Sequence, residues 1–339
     1  MMSGNIKFEP LKWEEEIFNI RNDKHFERLA REISLFQYYH NPVYREYCEF
    51  IKAKPDYNTP LQDIPFLPIH IFKTHKVLTN GKDYEQYFES SGTSGMQRSR
   101  HYIKKSELYR MSFMRAFHLF YGNPENYCIL ALLPLYSENK HSSLISMVKG
   151  LTDQSECPES GFYLNDLNNL ADLLLKLNRQ NKKIMLFGVS FALLDLAEKY
   201  PLQLNNTIVI ETGGMKGQRK ELVREELHER LKTGLGVNEI HSEYGMAELL
   251  SQAYATVNGR FKSPPWQKTL IRDAYDPKDV KIAEKAKVSG GINIIDLANL
   301  YSCSFIETQD IGSLYPDGTF EVLGRFDYSE IRGCNLMVM

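Results

Sequence analysis

The chain has 339 residues, of which 42% are hydrophobic and 25% charged, with a formal net charge of −2. That balance fits a globular enzyme with ample material for a core and argues against a general binder of nucleic acid or anionic membrane, while leaving room for a local basic pocket. No stretch runs apolar for about 18 residues, so neither a secretory leader nor a membrane span is expected; the five scattered cysteines, Cys48, Cys128, Cys157, Cys303 and Cys334, are expected as reduced thiols of a cytoplasmic protein.

From Trp13 to Ile51 the chain reads as helices. Trp13, Ile17, Ile20, Phe26, Leu29, Ile33 and Phe36 recur at helical spacing, and Tyr44, Tyr47, Phe50 and Ile51 resume the pattern after Pro42. Pro60, Pro65 and Pro68 then forbid a regular helix and favour an extended segment. After Phe72, Lys73 and Phe88 comes Ser90-Ser91-Gly92-Thr93-Ser94-Gly95-Met96-Gln97-Arg98-Ser99-Arg100. Its glycines let backbone N–H groups face one concavity, its hydroxyls add donors, and Arg98 and Arg100 add charge, all suited to an anion. Such a cluster reads equally as a plain turn. The glycine spacing and the lack of a Gly-Lys-Ser/Thr ending exclude a Walker loop. A helix is expected over Ser106 to Tyr121.

From Tyr127 onward, short apolar runs alternate with amphipathic helices, the pattern of a buried, mostly parallel sheet with covering helices. Strands are expected at Cys128–Leu133, Lys183–Phe187, Thr207–Glu211 and Val237–His241; helices at Leu167–Leu177, Phe191–Tyr200 and Gln218–Lys232. Thr212 to Gly217 and Tyr244-Gly245-Met246-Ala247-Glu248 fall at the carboxyl ends of strands, where open α/β sheets place ligands. From Thr269 the chain turns β-rich, with a hairpin turn at Tyr315-Pro316-Asp317-Gly318-Thr319. The charge run Lys278 to Lys287 reads as a solvated helix face. His25, His40, His70 and His75 show no metal-ligand spacing, and His241 reads as structural. The fold class expected is α/β: layered sheets flanked by helices with a β-rich C-terminal subdomain. Residues 1–80 would be a helical segment packed on the core, 81–262 the α/β core, and 263–339 the β-rich part.

Four polar clusters recur in a fixed order: Ser90 to Arg100, Thr212 to Gly217, Tyr244 to Glu248, and Asp310 with Gly324-Arg325-Phe326-Asp327. This set resembles the adenylate-forming superfamily of acyl-CoA synthetases, peptide synthetase adenylation domains and firefly luciferase. Ile64-Pro65-Phe66-Leu67-Pro68 with Phe72-Lys73, Glu211 to Gly217, and Glu330-Ile331-Arg332-Gly333-Cys334 narrow the resemblance to LuxE-type acyl-protein synthetases, with phenylacetate-CoA ligases as nearer cousins than luciferase. The resemblance implies the large N-terminal domain of those enzymes. Only twelve residues follow Asp327, so the expectation is that the mobile C-terminal domain of about a hundred residues, with its catalytic lysine, is absent.

The resemblance further implies ATP-dependent activation of a carboxylic acid, with fatty and aromatic acids both open, to an acyl adenylate with release of pyrophosphate, with ATP and Mg²⁺ as cofactors. Ser90, Ser91, Gly92, Thr93, Ser94 and Gly95 would hold the β- and γ-phosphates, and Arg98 would replace in part the lysine of many relatives. Glu248 would bind Mg²⁺. Asp310 would take the ribose hydroxyls with Arg325 assisting, Gly213 and Gly214 would admit the adenine, and Tyr244, beside Gly245, would pack on it or fill core. His141 would flank the carboxylate or lie on the surface. Cys334 would accept the acyl group before passage to a reductase or carrier protein, against the plainer reading of an ordinary cysteine, while Cys128 and Cys303 read as core. The alternatives are a CoA ligase acting on a diffusible thiol, and a non-catalytic nucleotide- or acyl-binding module.

Overall fold

A computed structural model describes residues 8–81, 83–90, 97–137, 139–213 and 222–326. The apolar spacing of the first part forms α1 (Pro10–Glu16), α2 (Asp23–His40) and α3 (Pro42–Phe50). Asn22 starts α2 by accepting the His25 N–H. Asn41 caps α3 by accepting from Val43 and Tyr44, ahead of a helix whose first residue is Pro42. Phe26, Leu29, Ile33 and Phe36 form the buried side of α2. Buried Gln37 on the same helix donates to the carbonyls of Asn299 and Leu300, docking α2 on a distant part of the chain. The proline-rich segment is extended at β1 (Leu67–Pro68) and leads to the short α4 (Ile71–Thr74).

β2 (Gln86–Glu89) and β3 (Arg100–Ile103) make an antiparallel ribbon separate from the main sheet, and the Ser/Gly segment joins them. The helix α5 (Ser106–Tyr121) follows. Among the described residues the main sheet has 13 strands. Its parallel half comprises β4 (Cys128–Leu132), β5 (Gly161–Phe162), β6 (Ile184–Val189), β7 (Thr207–Thr212) and β8 (Ile240–Tyr244), in spatial order β5-β4-β6-β7-β8. Every residue of β4 and β6 is buried, which is why both read as unbroken apolar runs. The connecting helices are α6 (Ser143–Gln154), α7 (Leu167–Arg179), α8 (Ser190–Lys199) and α9 (Arg224–Leu235). Ser142 and Asp166 cap α6 and α7 by accepting the N–H three residues on.

The antiparallel half continues from β8 through β9 (Ala253–Ala255) and β10 (Phe261–Lys262). Then come β11 (Gln267–Arg272), β12 (Val280–Lys281), β13 (Val288–Asp296), β14 (Phe305–Leu314) and β15 (Phe320–Arg325), ordered β8-β9-β10-β15-β14-β13-β11-β12. β1 adds in parallel to β14, and the β14–β15 hairpin turns at Tyr315 to Thr319, where Gly318 takes a φ of +79°. No helix among the described residues is long and apolar enough to cross a membrane.

Four expectations change. β8 begins at Ile240 rather than Val237, because Asn238 and Glu239 stay exposed while Ser242 and Glu243 pair with Glu211 and Thr212 of β7. The charged helix α9 begins at Arg224 rather than Gln218, and residues 218–221 lie outside the described part. The run from Lys278 to Lys287 is largely exposed but forms no helix. The Asp273 and Asp276 carboxylates accept backbone N–H groups of Tyr275, Asp276 and Lys278, closing turns that send the chain into edge strand β12. Finally, Cys128 and Cys157 are not free thiols but are joined in a disulfide, with Cα atoms 5.0 Å apart. Parallel pairing of β5 with β4 returns the chain to the start of β4, where Ser160 accepts the Ile129 N–H and Ser155 donates to the Tyr127 carbonyl.

Candidate active site

Tyr244 ends β8 and Asp310 lies in β14, and the Tyr244 hydroxyl donates to Asp310 Oδ2 at 2.8 Å. Burial keeps the phenol protonated, and so a donor. The Arg325 Nε stands 3.2 Å from Asp310 Oδ1, across the β14–β15 pairing that sets Asp310 opposite Arg325. Burial pushes the Asp310 carboxyl up; the Tyr244 bond and the Arg325 and Arg272 charges pull it back. The Arg325 side chain is 69% exposed, so its guanidinium is open to a ligand while its partner is fixed.

Glu248 lies on the turn between β8 and β9 with 5% exposure. Its Oε1 accepts a short hydrogen bond from the Ser99 hydroxyl. Burial raises its carboxyl, the Ser99 bond lowers it, and the Arg325 and Asp310 charges also reach it. Glu248, Asp310 and Arg325 therefore form one electrostatic group. Ser99 belongs to the neck of the Ser/Gly segment: Ser90 N–H donates to the Ser99 carbonyl, and Ser99 N–H to the Ser90 hydroxyl, at 3.2 and 3.1 Å. The neck of the segment is thereby pinned to Glu248.

Arg98 turns elsewhere. It pairs with Glu89 at 3.7 Å, as Arg100 does at 2.8 Å, on the wall of a cleft of about 660 Å³ that also exposes Lys73, His75 and Lys76. Gly213 follows β7 with a φ of +65°, and its carbonyl accepts from the Ser190 hydroxyl at 2.6 Å. Gly245 follows β8 where an added Cβ would stand 2.4 Å from Glu243 Oε1, so any other residue there would have to displace that carboxyl. Ser91, Gly92, Thr93, Ser94, Gly95, Gly214 and Cys334 lie outside the described residues. His141 is exposed and stacks on Tyr87 at 4.0 Å between ring centroids.

Several groups at the site escape the sequence reading. Ser99 falls within the Ser90–Arg100 segment, but nothing local marks it as the partner of Glu248. Glu243, next to Tyr244 on β8, is buried, accepts from the Thr212 hydroxyl at 2.5 Å, and is pushed up to about 7 by burial. Glu211 accepts from Ser190 and stands 3.7 Å from His228. The described free cysteines are poor nucleophiles: burial pushes the Cys48 thiol up to about 12 and raises that of Cys303 further.

A buried carboxyl raised by desolvation and held against a serine-rich neck fits a divalent cation, whose charge would restore the ionised form. Tyr244 ends the last parallel strand, β8, where the sheet turns antiparallel, and reaches Asp310 within β14, opposite Arg325 at the end of β15. The same fold is found in ATP-bound MatB from Rhodopseudomonas palustris, with TM-score 0.53 and 17% identity over 73% of this chain and 49% of that one. A long-chain-fatty-acid-CoA ligase from Archaeoglobus fulgidus matches with TM-score 0.51 and 12% identity, over 72% of this chain and 52% of that one. The chain spans about half the length of these solved relatives. Over nearly three quarters of this chain the fold is that of these two solved structures, which sets its fold class.

Within that class, the chain belongs to the family described as acyl-protein synthetase, LuxE, which it matches over residues 6–339. A long-chain-fatty-acid–luciferin-component ligase of Vibrio harveyi is 25% identical over 336 residues, covering 91% of this chain and 86% of that protein. Its counterpart from Photorhabdus luminescens is 41% identical over a 61-residue stretch, 18% of this chain and 52% of that protein.

Proposed function

We propose that the protein activates a long-chain fatty acid with ATP and passes the acyl group to a thiol, in the first instance that of Cys334. The observation that carries this reading is the Ser99–Glu248 bond, which joins the neck of the serine/glycine segment to a buried carboxyl within electrostatic reach of Asp310 and Arg325.

In the first half-reaction a carboxylate oxygen of the acid attacks the α-phosphorus of ATP; that P–O bond forms while the bond to the β-phosphate bridging oxygen breaks, and pyrophosphate leaves. An acid lacks a good leaving group, and the adenylate supplies one. Ser90 to Gly95, closed at the neck by Ser90 and Ser99, hold the departing phosphates with backbone and hydroxyl donors. Asp310, oriented by Tyr244, accepts from the ribose hydroxyls, and Arg325 offsets nucleotide charge. Gly213 and Gly214 leave room for the adenine against the backbone, beside Tyr244 and Gly245. Glu248 would hold Mg²⁺, which would supply positive charge against that building on the phosphates. Arg98 and Arg100 give the loop a basic flank.

In the second half-reaction the Cys334 thiolate attacks the acyl carbon, the thioester bond forms, and AMP leaves. The high thiol pKa of Cys48 and Cys303 favours Cys334 over the described free cysteines. A reductase or carrier protein then takes the acyl group.

Exchange of labelled pyrophosphate into ATP, dependent on an added long-chain acid, tests the first half; no exchange with any acid of a broad panel overturns it. A labelled acyl adduct that hydroxylamine removes and Cys334→Ala abolishes supports the second. Adduct retained in that variant removes Cys334, and transfer to free CoA at an equal rate favours a CoA ligase.

A further inference from the structure

The turn that carries Glu248, from Gly245 to Gln252, has no ladder or helix of its own, yet it is buried around Glu248. Its backbone groups need partners from elsewhere, and side chains of three residues supply them. Asn299 Nδ2 donates to the Glu248 carbonyl at 2.8 Å, and Asn299 Oδ1 accepts the Leu250 N–H at 3.0 Å. Asp296 Oδ2 accepts the N–H groups of Leu250 and Ser251 at 3.0 and 2.8 Å, while Oδ1 accepts the Ser251 hydroxyl at 2.6 Å. His101 Nδ1 donates to the Ala247 carbonyl at 3.0 Å. That donation fixes the tautomer, so Nε2 accepts the Ser302 hydroxyl at 2.7 Å. Asp296 and Asn299 are fully buried and His101 nearly so.

The holders come from both sides of the site. Asp296 ends β13 and Asn299 lies on the connection from it to β14, the strand that bears Asp310. His101 lies on β3, two residues beyond Ser99, and the alternation along that strand buries Ser99, His101 and Ile103 while exposing Arg100. One face of the ribbon thus grips the Glu248 carboxylate through Ser99 and the peptide before it through His101. The geometry points to His101, Asp296 and Asn299 as positioning residues that set the Glu248 carboxylate against the neck of the Ser90–Arg100 segment. This assignment rests on the proposed role of Glu248 in holding the metal–nucleotide.

The test compares His101→Phe, His101→Asn and Asn299→Ala with the wild type, after melting curves establish that each is folded. Asparagine keeps an amide N–H where Nδ1–H stands; phenylalanine does not. Two readouts are taken: affinity for Mn²⁺ in the presence of ATP, by electron paramagnetic resonance titration, and kcat and KM for acid-dependent pyrophosphate exchange. His101→Phe and Asn299→Ala are expected to weaken Mn²⁺ binding and lower kcat by about tenfold or more, with KM for the acid within about twofold, and His101→Asn to recover most of the loss. Adding Asn299→Ala to Glu248→Gln is expected to cost nothing beyond Glu248→Gln alone, since both act through one carboxylate. Unchanged Mn²⁺ affinity in the folded variants, or multiplying losses in the double variant, overturns the assignment. If Asn299→Ala does not fold, the two His101 variants decide alone. A wild type that neither exchanges pyrophosphate nor binds Mn²⁺ with ATP overturns the functional reading itself, an outcome distinct from additive losses in an active enzyme.

Discussion

Ser99 donates its hydroxyl to Glu248 across 149 positions of sequence, and both residues are buried. Removing the donor leaves a buried carboxyl short of a partner. Ser99→Ala is expected to cost about 1–3 kcal/mol in urea unfolding and about tenfold in pyrophosphate exchange. Glu248→Gln removes the charge that burial opposes, so it is expected to hold or gain stability while losing on the order of a hundredfold in exchange. Equal exchange rates in Glu248→Gln and wild type would remove the carboxylate from the chemistry.

Tyr244 orients Asp310 without reaching past it. Tyr244→Phe deletes one hydrogen bond to a carboxylate, expected to weaken ATP binding by about fivefold to tenfold while kcat changes little. Isothermal titration with ATP measures it. Asp310→Asn should weaken ATP more than Tyr244→Phe does; the reverse order would place the nucleotide on the phenol rather than on the carboxylate.

Glu243 makes stability depend on pH. Burial, partly offset by the Thr212 hydroxyl and reinforced by the Glu211 charge, raises its carboxyl from 4.5 to about 7. Between those values the folded chain keeps a proton that the unfolded chain has released. The contribution of Glu243 to stability is therefore greatest in acid, falls as pH rises through this window, and is level above it. Glu243→Gln stays neutral throughout. Its stability advantage over wild type is expected to widen by about 2–4 kcal/mol between about pH 4.5 and 7, as followed by denaturant unfolding. Taking the difference between the two proteins cancels the opposite trend from His101, which burial lowers to about 4 and which loses stability as pH falls. A gap that stays flat across the window means the folded Glu243 titrates normally.

Cys128 and Cys157 close a loop with a sequence separation of 29. Opening it with reductant, or by Cys157→Ser, is expected to cost about 3–4 kcal/mol, read as a lower melting temperature. Identical melting with and without reductant would show the thiols free in solution.

Much of the scaffold is legible because β4 and β6 are apolar runs suited to a buried sheet, and because Asp310 and Arg325 sit at a recognisable hairpin. β8 is harder to place. Its last residues, Ser242, Glu243 and Tyr244, are polar, and Glu243 is accommodated in the sheet by accepting from the Thr212 hydroxyl, 31 residues away. The supports of Glu248 leave still less trace. Ser99, His101, Asp296 and Asn299 are single polar residues whose meaning depends on contacts made after folding, and no periodicity flags them. The Cys128–Cys157 pairing is hidden for the same reason, since lone cysteines at that spacing form no motif.

The ribbon of β2 and β3 stands apart from the main sheet. In engineering terms it is a cassette. Ser99, just before β3, and His101 on it plug into the turn that carries Glu248, so a ribbon transplanted from a relative keeps its seat on that turn only if those two side chains travel with it.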